Sequence, residues 1–473
     1  MAYISKFTGA QIDALLDASE AMKTSKEDVA NKVTSITAYA DHTHYPSVKA
    51  VLDAIEDNFW YGIEKDTTVS TPTCTRIGNM DFHRTLPVHS LMRGCLLADD
   101  GTVNKYLDPD DWTNEVLDGS QGQVMVEIPR HFRKFETDGN VIRVKLSLLP
   151  LGGFHEVPEM YVSAYEATVQ RSTTTLASVC NTDADYRGGN NDSSRDGTYR
   201  TMLGMPATNI SLKTLRTYAR NRGSVEWNCN LYRLHKMLWW LFAVEYANFN
   251  SQADFNAALD ENGYHQGGLG AGVTTWDGTS WNNYNGYYPL VPCGVTNSLG
   301  NHTGTVDYNV IGSDGSTVKT FAVPRYRGVE NPFGHIWKWT DGCKSIIQSG
   351  ASGALSKFYV CEDPAKFTAS GVGNYDYRGD LPRKEGYVKA LILGEDGEIM
   401  PLEVGGGSTT YFCDYFYTNI PSSGEAERGV LFGGAAPNGA AAGCVYAFTY
   451  NAPAYAGAHV GSRLCFDPQI EAA

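Results

Sequence analysis

The residues of this chain that could do chemistry are its ten cysteines, one histidine pair and a short run of carboxylates. The cysteines are widely and irregularly spaced and form no Cys-x-x-Cys pair, a pattern that predicts free, mostly buried thiols and no structural zinc site. His42 and His44 are separated by one threonine. Three such pairs on the axis of a trimer would suit a metal ion, but the polar sequence around them favours a solvated loop.

A calcium loop is the second kind of metal site that the sequence could contain. Asp183 and Asp185 precede Gly188, but Arg187 and Ser194 stand where further oxygen ligands are needed. A solvated loop is the better interpretation of this segment. The sequence therefore predicts no cofactor, and it leaves open a structural calcium that it does not locate.

Catalytic motifs and net charge exclude several classes of enzyme and of partner. The chain contains no GxSxG, HExxH, phosphate-binding-loop or strand-linked GxGxxG pattern. Its net charge of −15 disfavours nucleic acid and anionic membrane surfaces as partners. Residues 429–462 carry no charge, but their Gly, Ala, Asn and Pro content argues against membrane insertion. The first ten residues contain no apolar signal segment, so we expect a cytosolic product that leaves the cell in another way, such as within a virion.

Two short helices are predicted near the N-terminus. Thr8 and Gln11 form a capping box before an apolar stripe that ends at Leu16. A second helix is predicted near residues 47–59. The first helix is too short to bury its narrow apolar stripe alone, so we expect it to pack on a partner chain or a neighbouring subunit. Residues 1–59 are predicted to be an attachment or oligomerisation segment.

The next region, residues 60–154, is predicted to be a small β region. Its clearest strands are at 124–129 and 141–149, with a turn at 137–140 before the second of them.

Residues 155–473 are predicted to form a larger domain. Leucines and two tryptophans at helical spacing predict a largely buried helix near 230–249. The segments 180–200 and 265–315 are rich in Gly, Asn, Asp and Ser and are predicted to be long loops.

Three segments of this larger domain resemble one family. MYVSAYEATVQ (160–170), LYRLHKMLWWLFAVEYAN (231–248) and NPFGHIWKWTDG (331–342) are similar, in order and spacing, to three motifs of formylglycine-generating-enzyme-type domains. The resemblance spans about 155–466 and implies an α+β architecture, the C-type lectin fold of that subtype. Oxidases of the family need two cysteines for copper, and the matching stretch here offers only Cys444. The chain is therefore predicted not to be an enzyme.

The C-terminal segment 428–466 resembles the variable region of proteins that are diversified by retroelements. Such regions end in a fixed strand, which would be Gly461–Phe466 here. The mutagenesis rewrites Asn-type codons, and codons that end in a pyrimidine encode no Lys, Glu, Gln, Trp or Met. Residues 429–462 contain none of these five residue types. The alternative is a Gly- and Ala-rich loop whose tight backbone packing excludes charge.

The resemblance predicts a ligand-binding surface on residues 430–460. Tyr446, Phe448 and Tyr450 alternate, so in a strand they point to one face. Large aromatic side chains among Ala and Gly resemble a paratope, because Tyr gives wide contact at a small entropic cost. A core position is an equally good interpretation of Tyr446. The predicted ligand-binding residues are Phe432, Pro437, Asn438, Tyr446, Phe448, Tyr450, Tyr455, Gly457 and His459.

Residues 33–55 resemble a segment near the N-termini of phage tail fibre proteins, where it belongs to an attachment or trimerising stalk. Together these features predict a phage tail receptor-binding protein that is assembled in the host cytoplasm and acts outside the cell as part of the virion. Its predicted partners are a host cell-surface protein or glycan, other phage tail subunits and two further copies of itself in a homotrimer. The alternatives are a structural virion subunit or a bacterial surface adhesin with a fixed interface.

Overall fold

The structure is a computed structural model that describes residues 58–196 and 199–468. The first predicted helix, all but the last two residues of the second, and the His42–His44 pair lie outside the described residues. Tyr61–Ala473 form one compact unit, and the described part of this unit is mostly β with four α-helices.

The helices and strands are bounded as follows. The helices are α1 (Phe82–Thr85), α2 (Leu212–Arg220), α3 (Tyr232–Tyr246) and α4 (Gly278–Asn285). The strands up to residue 267 are β1 (Tyr61–Asp66), β2 (Thr75–Gly78), β3 (Arg93–Leu97), β4 (Val103–Tyr106), β5 (Gln123–Ile128), β6 (His131–Asp138), β7 (Val141–Ser147), β8 (His155–Val157), β9 (Met160–Ser163), β10 (Thr168–Gln170), β11 (Thr175–Ala177), β12 (Trp227–Cys229), β13 (Phe255–Asn256) and β14 (Gln266–Gly267). The later strands are β15 (Gly304–Ile311), β16 (Thr317–Tyr326), β17 (Val329–Glu330), β18 (Trp337–Gln348), β19 (Ser356–Val360), β20 (Asp376–Asp380), β21 (Gly386–Leu393), β22 (Glu398–Val404), β23 (Tyr415–Thr418), β24 (Glu425–Gly433), β25 (Gly443–Thr449), β26 (Val460–Gly461) and β27 (Leu464–Phe466).

Three of the sheets are large. Their strand orders are β2-β1-β7-β6-β8, β12-β27-β9-β5-β3-β4 and β20-β19-β18-β24-β25-β23-β21-β22, and β26 adds to the last sheet beside β18. The pairs β18–β26 and β23–β25 are parallel. The smaller sheets are β10-β11, β13-β14 and β15-β16-β17.

The six-stranded sheet joins the two regions that the sequence analysis separates at residue 154. Strands β3, β4 and β5 precede this position and β9, β12 and β27 follow it. β5 pairs directly with β9, from Met125 opposite Ser163 to Ile128 opposite Met160. The predicted boundary therefore does not divide the structure, because main-chain hydrogen bonds and buried strand faces cross it.

The largest sheet curves until its two ends approach each other. On β20, Arg378 Nη1 lies 2.9 Å from Asp396 Oδ2, just before β22 at the opposite end of the sheet. A Cβ added to Gly379 would lie 3.0 Å from Ile392 Cγ2 on β21. The sheet is therefore nearly closed.

Helix α3 packs in the core beside this sheet, and the predicted helix near 230–249 is confirmed. Nearly all its side chains are buried, including Trp239 and Trp240. Trp240 Nε1 donates a 2.8 Å hydrogen bond to the Gly397 carbonyl, and the Tyr232 hydroxyl accepts one of 3.1 Å from Ile399 N–H. A buried indole or phenol usually has such a partner, and these two hydrogen bonds fix the helix against the turn before β22 and the start of that strand.

The strands predicted at 124–129 and 141–149 are confirmed as β5 and β7, and the turn predicted between them joins β6 to β7. The prediction of one long loop over 265–315 is wrong in part, because the segment contains α4 and β15. Among the described residues, no helix has the length and apolarity that spanning a bilayer requires.

A buried charge cluster joins the first and third sequence motifs. Lys338 Nζ lies 2.8 Å from Glu166 Oε1, and His335 Nδ1 donates to Glu166 Oε2. Burial alone would raise the pKa of Glu166, but Lys338 and His335 lower it to about 2. His335 Nε2 accepts the Leu290 N–H at 3.0 Å. The cluster thus fixes the start of β18 and the loop before it against the connection between β9 and β10.

Candidate ligand-binding surface

Strand β25 is held in place by a carboxylate that lies outside the segment 430–460. Asp414 Oδ2 accepts the main-chain N–H of Val445 at 2.7 Å. Gly443 begins β25 with a φ of +151°, and the Asp414 carboxylate fills the space that a Cβ would need. Burial raises the pKa of Asp414 well above its ordinary value, although the N–H donors of Val445 and Tyr446 act against this.

Three further side chains outside the segment bind its main chain. Ser251 Oγ accepts the N–H of Cys444 at 3.2 Å, and His235 Nε2 donates to the Cys444 carbonyl at 2.7 Å. Gln252 Nε2 donates to the Gly439 carbonyl at 3.0 Å. All three residues belong to α3 or to the loop that follows it, so the helix positions the segment as well as the core.

Main-chain groups of neighbouring loops also bind the segment. We call the hydrogen bonds that reach residues 433–460 from outside the segment its frame. The hydrogen bonds join Trp276 N–H to Ala436 O (2.9 Å), Gly439 N–H to Thr274 O (2.8 Å), Asn209 N–H to Gly457 O (2.9 Å), Leu212 N–H to Pro453 O (3.2 Å) and Trp337 N–H to His459 O (3.0 Å). Main-chain donors and acceptors must be satisfied whatever side chains a segment carries. The path of residues 433–460 is therefore set largely from outside the segment.

Six of the predicted ligand-binding residues reach the surface. Tyr450 is 41% exposed, and Pro437 is also exposed. Asn438, Phe448, Tyr455 and His459 are half-buried. Asn438 also has a structural contact, because its Oδ1 accepts the Ala435 N–H at 2.7 Å.

The other three predicted residues are buried, and we correct their assignment as contact residues. Phe432 has no exposed surface, because its ring packs on Tyr232 and on His235 of α3, with ring centroids 5.9 and 4.7 Å away. Tyr446 is 5% exposed, in agreement with its interpretation as a core position. Gly457 is buried in the frame described above.

An aromatic surface extends from β25 onto two strands that sequence reasoning did not include. Its members are Tyr387 on β21, Tyr415 and Tyr417 on β23, Phe448 on β25, and Tyr450 just after β25. Parallel pairing places Tyr417 opposite Phe448, and antiparallel pairing places Tyr387 opposite Tyr415. The available signal in the sequence was the run of aromatic residues Tyr415, Phe416 and Tyr417. In a strand their side chains point alternately to two faces, and here Phe416 is fully buried whereas its two neighbours are half-buried.

Trp337 and Arg428 border the aromatic surface. Trp337 is nearly buried, and its ring lies 4.7 Å from that of Tyr446 and 5.2 Å from that of Phe448. The Arg428 guanidinium lies 5.8 Å from the centre of the Tyr450 ring, within cation–π distance. The surface thus has a buried aromatic support on one side and a cation at one edge.

His459 lies beside α4 rather than on the aromatic surface. Its ring centroid is 5.8 Å from that of Tyr287, just after the helix. Burial lowers the pKa of His459 below its ordinary 6.5, so the imidazole is neutral at neutral pH.

The cysteines and acidic residues that the structure describes were candidates for a metal centre. Within the described ranges, no group of three or more His, Cys, Asp or Glu side chains is arranged to hold a metal ion. Eight cysteines are buried, and Cys180 and Cys293 are half-buried. Burial raises the pKa of the Cys444 thiol to about 12, so this thiol is protonated at neutral pH.

A small internal cavity lies between α3 and the C-terminal strands. Its volume is about 20 Å³, and its lining includes His235, Trp239, Cys444 and Arg463. That space is comparable with one water molecule and does not hold a substrate.

Comparisons with known proteins identify no family for this chain. No protein-family model matches the sequence, and no curated protein matches it significantly. Among solved structures, the chain is similar to PvdO from Pseudomonas aeruginosa, with 11% identity and a TM-score of 0.31 over 74% of this chain and 95% of that one.

Proposed function

We propose that this chain is a receptor-binding protein of a phage tail, with a diversified ligand-binding surface on a C-type lectin fold of the formylglycine-generating-enzyme subtype. It acts by binding a molecule of the host cell surface and needs neither catalysis nor a cofactor. In the virion it is proposed to form a homotrimer and to contact other tail subunits. Three copies would raise the avidity of individually weak contacts.

The observation that carries this proposal is the origin of the hydrogen bonds to residues 433–460. Asp414, Ser251, His235 and Gln252 all lie outside the segment, and each bonds to its main chain. Because these bonds do not depend on the segment's own side chains, exposed side chains can be replaced without loss of the frame. A scaffold of this kind suits a surface whose specificity changes while its fold is kept.

The exposure pattern supports the same function. Residues 430–436 form a buried stretch, whereas Tyr450, Ala452, Ala454 and Ala456 are exposed. The absence of Lys, Glu, Gln, Trp and Met from 429–462 fits a restricted codon set at the exposed positions. At the buried positions the same absence follows from packing.

The test is deep sequencing of the 3′ end of the gene in a propagated population. We expect substitutions at the exposed and half-buried positions of 430–460, with 430–436 and 461–466 unchanged. The positions expected to vary most are Pro437, Ala440, Phe448, Tyr450, Ala452, Ala454, Tyr455, Ala456 and His459. A uniform segment would refute diversification and favour a fixed interface, and substitutions spread equally over buried positions would contradict the structural argument.

A further inference from the structure

The aromatic surface has a part that lies outside the segment proposed to vary. Tyr387, Tyr415 and Tyr417 precede residue 430. Tyr417 nevertheless lies beside Phe448 and Tyr450, and Tyr387 is paired with Tyr415 on the same strand as Tyr417. The ring centroids of Tyr417 and Tyr450 are 6.1 Å apart, and those of Phe448 and Tyr450 are 5.9 Å apart. A ligand that contacts Phe448 and Tyr450 is therefore within reach of tyrosines that a mutational process confined to 430–460 does not change.

The rings of this surface face one another. The Tyr417 and Phe448 planes are within 11° of parallel, with centroids 4.9 Å apart, so each ring covers a face of the other. Tyr387 and Tyr415 meet edge to face at 5.1 Å and 90°. Tyr415 in turn meets Tyr446 at 5.9 Å and 83°. Mutual packing of this kind fixes the side chains before a ligand arrives.

The tyrosine hydroxyls of this surface have no partner among the described residues. No hydrogen bond within those ranges engages the hydroxyl of Tyr387, Tyr415, Tyr417 or Tyr450, and none of these oxygens is buried. Each hydroxyl can donate one hydrogen bond and accept two. The surface therefore offers ring edges and hydrogen-bonding groups to a ligand.

We infer that Tyr387, Tyr415 and Tyr417 form a constant half of the binding surface and that the ligand is a protein. This inference rests on the function proposed above. A sugar ring binds an aromatic side chain by laying its C–H face on an open face of the ring. In the stacked pair Tyr417–Phe448, one face of each ring is covered by the other ring and is closed to a sugar. Rigid tyrosines beside an arginine such as Arg428 have the composition of protein–protein hot spots.

The ligand class is tested with the full-length chain, fluorescently labelled, and intact cells of the strain on which the gene-bearing phage propagates. One sample of cells is treated with proteinase K, and a second with periodate, which cleaves the vicinal diols of glycans. We expect protease to lower binding about tenfold or more and periodate to leave it unchanged. Loss of binding after periodate alone would overturn the protein ligand and leave the proposed function in place. Absence of binding to untreated cells would overturn both.

The constant half is tested by substitution in the same assay. Tyr417→Ala and Tyr387→Ala are each expected to weaken binding about tenfold, and Tyr417→Phe, which keeps the stacked ring, by a few-fold. Tyr106→Ala is the matched control, because Tyr106 is 41% exposed like Tyr450 and lies on β4 in a different sheet. Circular dichroism verifies that each variant is folded. Unchanged binding by folded Tyr417→Ala and Tyr387→Ala variants would overturn the constant half.

Discussion

Asp414 Oδ2 accepts the main-chain N–H of Val445 at 2.7 Å, and the same carboxylate occupies the space where a side chain of residue 443 would begin. One buried side chain thus positions the main chain at the start of β25 and restricts residue 443 to glycine. Because β25 carries Phe448 and leads into Tyr450, this contact positions the side chains that are proposed to meet the ligand.

The close contact between Asp414 and Gly443 predicts that a methyl group added at position 443 greatly lowers the free energy of unfolding. Gly443→Ala is expected to lower the free energy of unfolding by about 2–4 kcal/mol, because Ala overlaps Asp414 and adopts an unfavourable positive φ. Gly439→Ala is the control: φ is +54°, and no atom lies within 4 Å of the added Cβ, so only the smaller conformational cost applies. Urea denaturation measures both values. Equal losses in the two variants would show that Asp414 does not restrict position 443.

The pH dependence of stability should report the ionisation of Asp414. Its pKa is raised above the ordinary 3.8 by burial. A raised folded-state pKa means that its contribution is fully present below the unfolded pKa and is lost as the pH rises through the folded pKa. The unfolding free energy of the wild type minus that of Asp414→Asn should therefore fall as the pH rises above about 4. A difference that stays constant would contradict this assignment.

Glu245 gives the opposite dependence at acid pH. Burial alone would raise its pKa, but Arg327 and neighbouring histidines lower the pKa from 4.5 to about 2. A lowered pKa contributes stability above the unfolded value, and this stability is lost as the pH falls from 4.5 toward 2. Glu245→Gln should cost about 3 kcal/mol at neutral pH, because it leaves the half-buried Arg327 without its carboxylate.

The control for Glu245 is Glu403→Gln. Glu403 forms an ion pair with Lys389 at the surface, and its side chain is 55% exposed. We expect this variant to unfold like the wild type from pH 7 down to about 3. Thermal unfolding followed over that range separates the two variants, and similar curves would refute the buried pair as a source of acid sensitivity.

Exposed and buried aromatic residues of 430–460 should differ in their effect on stability. Tyr450→Ala is expected to change the free energy of unfolding by no more than about 0.5 kcal/mol, because Tyr450 is on the surface. Phe432→Ala should cost about 3–5 kcal/mol, because it leaves a cavity against Tyr232 and His235. Chemical denaturation of the two variants checks this, and a stable Phe432→Ala variant would refute the buried position.

The thiols should be nearly unreactive in the native chain. Eight are buried, and the pKa of Cys444, raised to about 12, leaves very little thiolate at pH 8. Iodoacetamide is expected to alkylate the native chain at least about a hundredfold more slowly than the chain unfolded in guanidinium. Mass spectrometry counts the modified cysteines. Fast modification of Cys444 in the native chain would contradict its burial.

The sequence predicts those elements whose signal is local. The leucine and tryptophan spacing of 231–242 predicts a buried helix near 230–249, and α3 spans Tyr232–Tyr246. Wide cysteine spacing likewise indicates free thiols. Phe432 shows where local reasoning fails, because a buried strand and a diversified surface both lack charged residues. Composition alone does not separate the two, and only the partners of the ring do.

The placement of Tyr387, Tyr415 and Tyr417 could not be predicted in the same way. They lie beside β25 because β23 pairs with it in parallel, with Tyr417 opposite Phe448 at a separation of 31 residues. The residue pattern of each strand does not show which distant strand it pairs with. From the sequence we could therefore predict only the part of the candidate site that lies within 430–460.

Strand β27 lies between the edge strand β12 and β9 in the six-stranded sheet, although it follows the whole segment 430–460 in the chain. Under the proposed diversification, a frameshift within 430–460 that ended the chain early would delete β26 and β27. The truncated product would expose the edges of β9 and β12 and lose the Arg463 contacts of the core. If the segment is diversified as proposed, the fold would select for an intact reading frame, because only a chain translated in frame through 430–460 pairs β27 with β9 and β12.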